Sequence, residues 1–112
     1  VEVTTEATPI ETAKSFQFTN TLGESYYYSG WSINRLLEDI PNGKGIATYS
    51  NGDRYEGEFV NGIREGSGTY YWTDGEKFEG KFKNNKRNGF GKYFDAQGNL
   101  IEQGEYVDGN LK

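Results

Sequence analysis

The sequence contains no cysteine, no histidine and no methionine. Without cysteine there can be no disulfide framework and no thiolate chemistry. Without histidine the chain lacks the commonest general base and the commonest nitrogen ligand for metals. Composition therefore excludes serine–histidine and cysteine–histidine nucleophile systems. We expect a protein that is not an enzyme, with no catalytic residues, no cofactor and no metal site.

Long apolar runs are missing as well, and none approaches the roughly 18–20 residues that a membrane span needs. The formal net charge is −5, whereas a general nucleic-acid or anionic-lipid binder is normally basic. We therefore expect no nucleic-acid partner. The Thr- and Glu-rich start and the lack of cysteine lean towards a bacterial exported or surface-tethered protein, and they leave a cytoplasmic location open.

Glycines and aromatic residues are abundant instead. The chain has 16 glycines, nine tyrosines, seven phenylalanines and two tryptophans, while only 33% of its 112 residues are hydrophobic. Because each aromatic ring can bury roughly 150–250 Å², burial must come mainly from rings. That composition suits a thin sheet better than a thick two-layer core.

The glycines recur with a period of 23 residues, which indicates an internal repeat. An aromatic column follows the same period at Tyr55 and Phe78, with Ile101 in the third copy. Gly104 comes one residue late, which predicts a bulge near Leu100–Gln103. The repeating glycine columns are Gly43, Gly66 and Gly89; Gly45, Gly68 and Gly91; and Gly52, Gly75 and Gly98.

Each repeat reads as two short strands joined by tight turns. Residues 55–60 alternate large and charged side chains, and Asn61-Gly62 follows as a hairpin turn because both residues tolerate positive φ. Asp74-Gly75 predicts the next turn. This is an all-β meander of antiparallel hairpins. Aromatic rings on one strand are expected to lie over glycines on the next strand.

The pattern Y-x-G-x-F-x-N-G, followed by G-x-G and an Asp-Gly turn, resembles the MORN repeat (membrane occupation and recognition nexus). The resemblance implies an elongated, single-layer, twisted antiparallel sheet built of successive β-hairpins of about 23 residues each. It also implies a non-catalytic scaffold for protein contacts or self-association, and sometimes for lipid contact.

The expected organisation has five parts. They are a flexible polar tether at 1–14, an N-terminal cap with an atypical first repeat at 15–54, repeats at 55–77 and 78–101, and a partial repeat at 102–112. Ser15–Tyr28 is predicted to form a hairpin that covers the first repeat. The first repeat carries an insert at 31–41, in which Leu36, Leu37 and Ile40 are predicted to form one apolar helical turn. The insert is either a partner-binding knob or, preferably, a cap packed on Phe16 and Phe18.

Two groups of residues are candidates for binding. A local basic segment predicts anion contact, although a charged turn is the more ordinary interpretation of it. Glu56 and Glu58 could form a carboxylate pair, but Lys81 replaces Glu58 in the next repeat, so we favour a solvated strand face. The candidates for partner binding are Trp31, Leu36, Leu37, Ile40, Tyr71, Trp72 and Phe94, and those for anion contact are Lys81, Lys83, Lys86 and Arg87.

We therefore expect a scaffold that binds a protein partner or forms a homo-oligomer. Two alternatives remain open. Aromatic rows beside acidic residues are typical of a carbohydrate-binding module, and the basic segment Lys81–Lys92 would suit a lipid headgroup.

Overall fold

The computed structural model describes residues 11–112, which form one nine-stranded antiparallel sheet whose strand order follows the chain. The sheet measures 55 × 26 × 21 Å along its principal axes. The predicted all-β meander of hairpins is confirmed. The strands are β1 (Glu11–Thr19), β2 (Ser25–Arg35), β3 (Glu38–Tyr49), β4 (Arg54–Val60), β5 (Ile63–Tyr71), β6 (Lys77–Lys83), β7 (Lys86–Phe94), β8 (Leu100–Val107) and β9 (Asn110–Leu111).

Two kinds of turn alternate along the sheet. Hairpins β2–β3, β4–β5, β6–β7 and β8–β9 are closed by two residues that both have positive φ, as a tight hairpin turn requires. Longer turns connect one hairpin to the next, and the predicted turns at Asp74-Gly75 and Gln97-Gly98 lie in them. In these turns the first residue donates its N–H to the carbonyl four residues on, for example Trp72 to Glu76 at 3.0 Å.

A row of seven glycines crosses the sheet from β2 to β8, one on each strand and each opposite the next. The rings of Tyr28, Tyr55 and Phe78 lie over this row on one side. A Cβ atom added at Gly45, Gly68 or Gly91 would come closer than 3.0 Å to one of these rings. The glycines therefore make room for rings, as the sequence predicts. The row is Gly30, Gly45, Gly57, Gly68, Gly80, Gly91 and Gly104.

The rings on this side, which we call the aromatic face, bury one another without a second layer. Tyr55 meets Phe59 and Phe82 edge to face, with ring centroids 5.1 and 5.0 Å apart, an arrangement that aromatic pairs prefer. Full burial of one such side chain stabilises the fold by about 1.5–3 kcal/mol. The opposite side, the charged face, carries Glu56, Glu58, Glu79, Lys81 and Lys92. The buried rings are Tyr26, Tyr28, Tyr55, Phe59, Phe78, Phe82 and Tyr106.

The N-terminal segment departs in part from expectation. Strand β1 begins at Glu11, so residues 11–14 of the predicted tether belong to the sheet, and residues 1–10 lie outside the described residues. The hairpin predicted within Ser15–Tyr28 is present. Phe16 lies 5.4 Å from the Tyr28 ring and Phe18 lies 5.9 Å from the Tyr26 ring. β1 therefore covers the first end of the aromatic face.

The insert at 31–41 is not helical, and the predicted helical turn is wrong. It lengthens hairpin β2–β3 by two pairs of residues, and Leu36-Leu37 forms the turn at its tip. The cap interpretation holds only for Ile40, which is half-buried beside Gly62, where the Phe18 ring also lies. Leu36 and Leu37 do not pack on the sheet.

The predicted bulge near Leu100–Gln103 is confirmed, and it corrects the assignment of Ile101. Tyr93 pairs with Glu102 and Phe94 pairs with Leu100, so the register skips Ile101, which is exposed. Glu102 therefore occupies the inward position that Tyr55 and Phe78 hold in earlier repeats. There it accepts a hydrogen bond of 2.7 Å from Tyr106 Oη.

Adding a single methyl group at Gly68 tests the ring-over-glycine packing. The Gly68→Ala variant should lose about 2–3 kcal/mol of unfolding free energy, because its Cβ collides with the Tyr55 ring. Thr69→Ala, next to it on the charged face, should cost no more than about 1 kcal/mol. Urea unfolding measures both values. Equal losses for the two variants would contradict the packing role of the glycine.

Candidate functional site

The structure places the candidate partner-binding residues in three separate locations. Leu36 and Leu37 form the tip of the longest hairpin, with Ile40 near its base. Tyr71 and Phe94 lie on the charged face, and Trp31 also lies there, in a shallow groove beside Ile46 and Glu56. Trp72 alone lies on the aromatic face, packed against its core. The candidates therefore do not form one surface.

The hairpin tip combines exposure with backbone strain. Leu36 and Leu37 are 99% and 97% exposed, and their φ angles are +51° and +68°. A leucine in this region costs about 1–2 kcal/mol because Cβ approaches the following carbonyl oxygen. The equivalent turns use Asn61-Gly62, Asn84-Asn85 and Asp108-Gly109, all residue types that tolerate positive φ. The tip is the one such turn in residues 11–112 that combines strained residues with apolar side chains.

On the charged face, Tyr71 and Phe94 alternate with cations in one cross-strand row. The Arg54 guanidinium lies 4.0 Å from the centre of the Tyr71 ring, and the Lys77 ammonium lies 5.1 Å from that of Phe94. Arg54 also pairs with Glu56 at 2.8 Å. Both rings are therefore partly covered by neighbouring side chains, so they do not present an open apolar patch.

A ladder of half-buried rings runs along the aromatic face beside the core. The ring centroids of Tyr49 and Tyr70 are 5.9 Å apart, those of Tyr70 and Trp72 are 4.9 Å apart, and those of Trp72 and Tyr93 are 5.3 Å apart. We call these four residues the ring ladder. It continues over four strand connections without interruption and keeps one edge in solvent.

Two arginines lie on the aromatic face, and the sequence interpretation missed one of them. Arg64 is buried among the rings of Tyr49, Tyr55 and Tyr70, at 5.5–5.8 Å. Arg87 lies within 5.9 Å of four ring centres, those of Trp72, Phe78, Tyr93 and Tyr106. Their spacing of 23 residues, equal to the repeat, is the signal that would have identified Arg64.

Each arginine also fastens the next hairpin turn. Arg64 Nη2 donates to the Asn85 carbonyl at 2.7 Å, and Arg87 Nη2 donates to the Gly109 carbonyl at 2.6 Å. In the first repeat, where Pro41 occupies the arginine position, Tyr26 Oη donates to the Gly62 carbonyl at 3.1 Å instead. The arginines therefore hold successive hairpins together.

The candidate anion contacts are divided between the two faces. Lys81 lies on the charged face and donates to Ser67 Oγ at 2.7 Å. Arg87 lies on the aromatic face, and Lys86 lines a cavity there, while its cross-strand neighbour Lys83 does not. The expectation that Lys81, Lys83, Lys86 and Arg87 act as one basic surface is corrected by this arrangement.

The acidic side chains on the charged face are held in local contacts. Glu58 Oε1 accepts a hydrogen bond from the Ser67 amide at 3.0 Å, and Glu79 pairs with Lys77 at 2.9 Å. Within residues 11–112, no group of three or more acidic side chains is placed to hold a metal ion. The same residues include no helix long and apolar enough to cross a membrane.

Burial shifts the titration of the tyrosines on the aromatic face. It raises the pKa of Tyr93 to about 12, assisted by the hydrogen bond that its hydroxyl donates to Glu76. It raises the pKa of Tyr106 to about 12 as well, assisted by Glu102. The pKa of Tyr70 is raised by burial and then by the nearby Asp53 carboxylate. These hydroxyls therefore stay neutral donors at ordinary pH.

The family model named MORN repeat matches three consecutive segments, 37–54, 55–77 and 78–100. Together they cover more than half of the sequence. The chain belongs to the MORN repeat family. The third MORN segment ends at residue 100, just before the bulged Ile101. A search of curated proteins gave no match.

Residues 55–77 and 78–100 are therefore the two complete MORN repeats, and each contributes one arginine to the aromatic face. The first matched segment starts at Leu37, inside the strained tip. The strand β2 that precedes it carries Tyr28, whose ring covers Gly45 in the way that Tyr55 covers Gly68. The lengthened hairpin is thus the part of the MORN array that departs most from the repeat.

The strained tip predicts a stabilising double substitution. Leu36→Asn with Leu37→Gly should raise the free energy of unfolding by about 1–2 kcal/mol, because both residue types tolerate positive φ. Asn84→Leu, the reverse change at an equivalent MORN turn, should lower it by about 1 kcal/mol. Thermal and urea unfolding give both values. A tip variant less stable than the parent protein would show that the leucines make stabilising contacts.

Alkaline pH should destabilise the MORN sheet from about pH 10 upward. Unfolded tyrosine titrates near pH 10, whereas the pKa values of Tyr93 and Tyr106 are about 12 in the folded protein. The folded state thus binds more protons between these values, and stability falls as pH rises through them. Urea unfolding between pH 9 and 12 should show the fall, and Tyr93→Phe should make it shallower. A flat profile would contradict the assignment.

Proposed function

We propose that this MORN array is a non-catalytic scaffold that binds a protein partner through the ring ladder on its aromatic face. The observation that carries the proposal is the unbroken contact of four half-buried rings, Tyr49, Tyr70, Trp72 and Tyr93, beside two arginines. Tryptophan, tyrosine and arginine are the residue types that dominate binding energy at protein interfaces.

Rigidity supports this use of the ladder. Tyr70 donates a hydrogen bond to Asp53 at 3.0 Å, and Tyr93 donates one to Glu76. A ring already fixed by its neighbours loses little conformational entropy when a partner covers its free edge. A second copy of the chain is one partner that would meet this description, which includes self-association in the proposal.

The two alternative functions receive less support. Sugar rings stack on open aromatic faces, but Trp72 has Tyr70 on one side at 4.9 Å and Tyr93 on the other at 5.3 Å. A lipid headgroup site needs a continuous basic surface, and the candidate cations are divided between the two faces. The exposed edge of the ladder fits a protein surface better than either ligand.

Two neighbouring residues on opposite faces provide a matched test of the proposal. Trp72→Ala should reduce capture of protein partners by the immobilised chain about tenfold or more, because a central interface tryptophan contributes about 2 kcal/mol or more. Tyr71→Ala, one residue away on the charged face, should change capture less than twofold. Capture from a lysate of the encoding organism is quantified by mass spectrometry.

Self-association is measured in parallel by sedimentation across a concentration series, with the same two variants. Circular dichroism confirms that both variants keep the sheet. If Tyr71→Ala abolishes capture and Trp72→Ala leaves it intact, the charged face is the binding surface and the proposal fails. A glycan array and liposome sedimentation on the parent protein test the alternatives directly.

A further inference from the structure

A cavity of about 240 Å³ opens on the aromatic face between the two complete repeats. Three basic side chains and no acidic one line it, although the chain as a whole carries 17 acids and only 12 bases. Its walls combine charge with aromatic rings. The lining residues that matter are Arg64, Arg87, Lys86, Asn85, Tyr70 and Trp72.

The positive charge in this cavity is incompletely compensated. Arg87 donates to the neutral Gly109 carbonyl, and within residues 11–112 it forms no ion pair with an acidic side chain. Arg64 has one acidic neighbour, Glu24 at 3.5 Å, which is largely in solvent. A guanidinium held among rings, away from water, gains more from an oxyanion than a solvated one does.

Two buried donors in the same lining also lack acceptors. Arg64 and Asn85 are each 7% exposed, and Arg64 Nε and Asn85 Nδ2 form no hydrogen bond. Buried polar atoms are satisfied in most proteins, so each exception requires an explanation. Both exceptions here are donors, and both belong to residues that line the cavity. Their dipoles add to the positive potential of the arginines.

We propose that this cavity receives a carboxylate from an acidic segment of a protein partner. The inference rests on the proposed function, because the partner that covers the ring ladder would supply this segment. Trp72 belongs to both the ladder and the cavity wall, so a peptide lying on the rings brings an acidic side chain to Arg87. The aromatic walls match the apolar stem of a glutamate, and Arg87 and Lys86 match its carboxylate.

A protein source for the oxyanion is favoured over a membrane. A bilayer surface attracts basic patches that stand free in solvent, and this chain is acidic overall. The cavity cations are instead set among rings on a curved row of hairpins. An extended peptide can enter such a site, and its neighbouring side chains can contact Tyr70 and Trp72.

The test uses a fluorescent octapeptide of alternating leucine and glutamate, with a leucine–glutamine octapeptide as its uncharged counterpart. Anisotropy should show the glutamate peptide binding at least tenfold more tightly. Arg87→Gln should weaken its binding about tenfold, and Lys86→Gln about threefold. Lys83→Gln, the cross-strand neighbour outside the cavity, removes the same charge and should leave binding within twofold.

Because Arg87 also fastens a turn, Lys86→Gln keeps the test valid if Arg87→Gln does not fold. The arginine Nε–H signals in NMR spectra should shift for Arg64 and Arg87 when the peptide is added. Four results would overturn the inference: equal binding of both peptides, equal loss for Lys83→Gln and Lys86→Gln, displacement of the peptide by equimolar inorganic phosphate, or tighter binding to phosphatidylserine vesicles than to peptide. If the peptide fails while Trp72→Ala still abolishes partner capture, this inference falls and the scaffold proposal remains.

Discussion

The contact between an aromatic ring and a pair of glycines is the interaction on which the rest of this structure depends. Tyr55 covers Gly68 on the neighbouring strand and extends to Gly57, where its hydroxyl donates to the Glu58 carbonyl at 3.0 Å. A single-layer sheet has no second layer to shield its rings, so the rings must lie flat on the sheet itself. Glycine makes this possible because any Cβ would lift the ring away from the backbone. The cost of glycine in a strand is thereby offset by burial of the ring.

Fastening between hairpins follows from this packing. Rings that lie flat leave space at the end of each hairpin, and Arg64 and Arg87 fill it, with their guanidinium groups among the rings. From there they reach the carbonyls of the next turn. The first hairpin has Pro41 at the arginine position, and Tyr26 takes over the bond to the turn. The longer tip begins just beyond Pro41, where the repeat no longer fixes the length of the hairpin.

The 23-residue period was sufficient to predict the strands, the turns, the ring-over-glycine contacts and the bulge near Ile101. These features depend on local spacing, which a sequence displays directly. The helical turn at Leu36 and Leu37 was predicted wrongly, because nothing in their residue types favours positive φ. Pairing of the flanking strands imposes that conformation from outside. The inward position of Glu102 was missed for a related reason: a bulge moves the next side chain to the other face.

The binding site was less predictable because it depends on which face each residue occupies, and on contacts between repeats. Lys81 and Arg87 are close in sequence, yet a hairpin turn and strand alternation place them on opposite faces. Arg64 has no special motif around it, and only its phase with Arg87 marks it. A repeat protein presents the same position again in each unit, so charge that is unpaired in one unit is reinforced by the next. Two arginines on one row of rings therefore form a cationic aromatic surface that neither repeat would supply alone, which is why the junction between repeats is where binding should be sought.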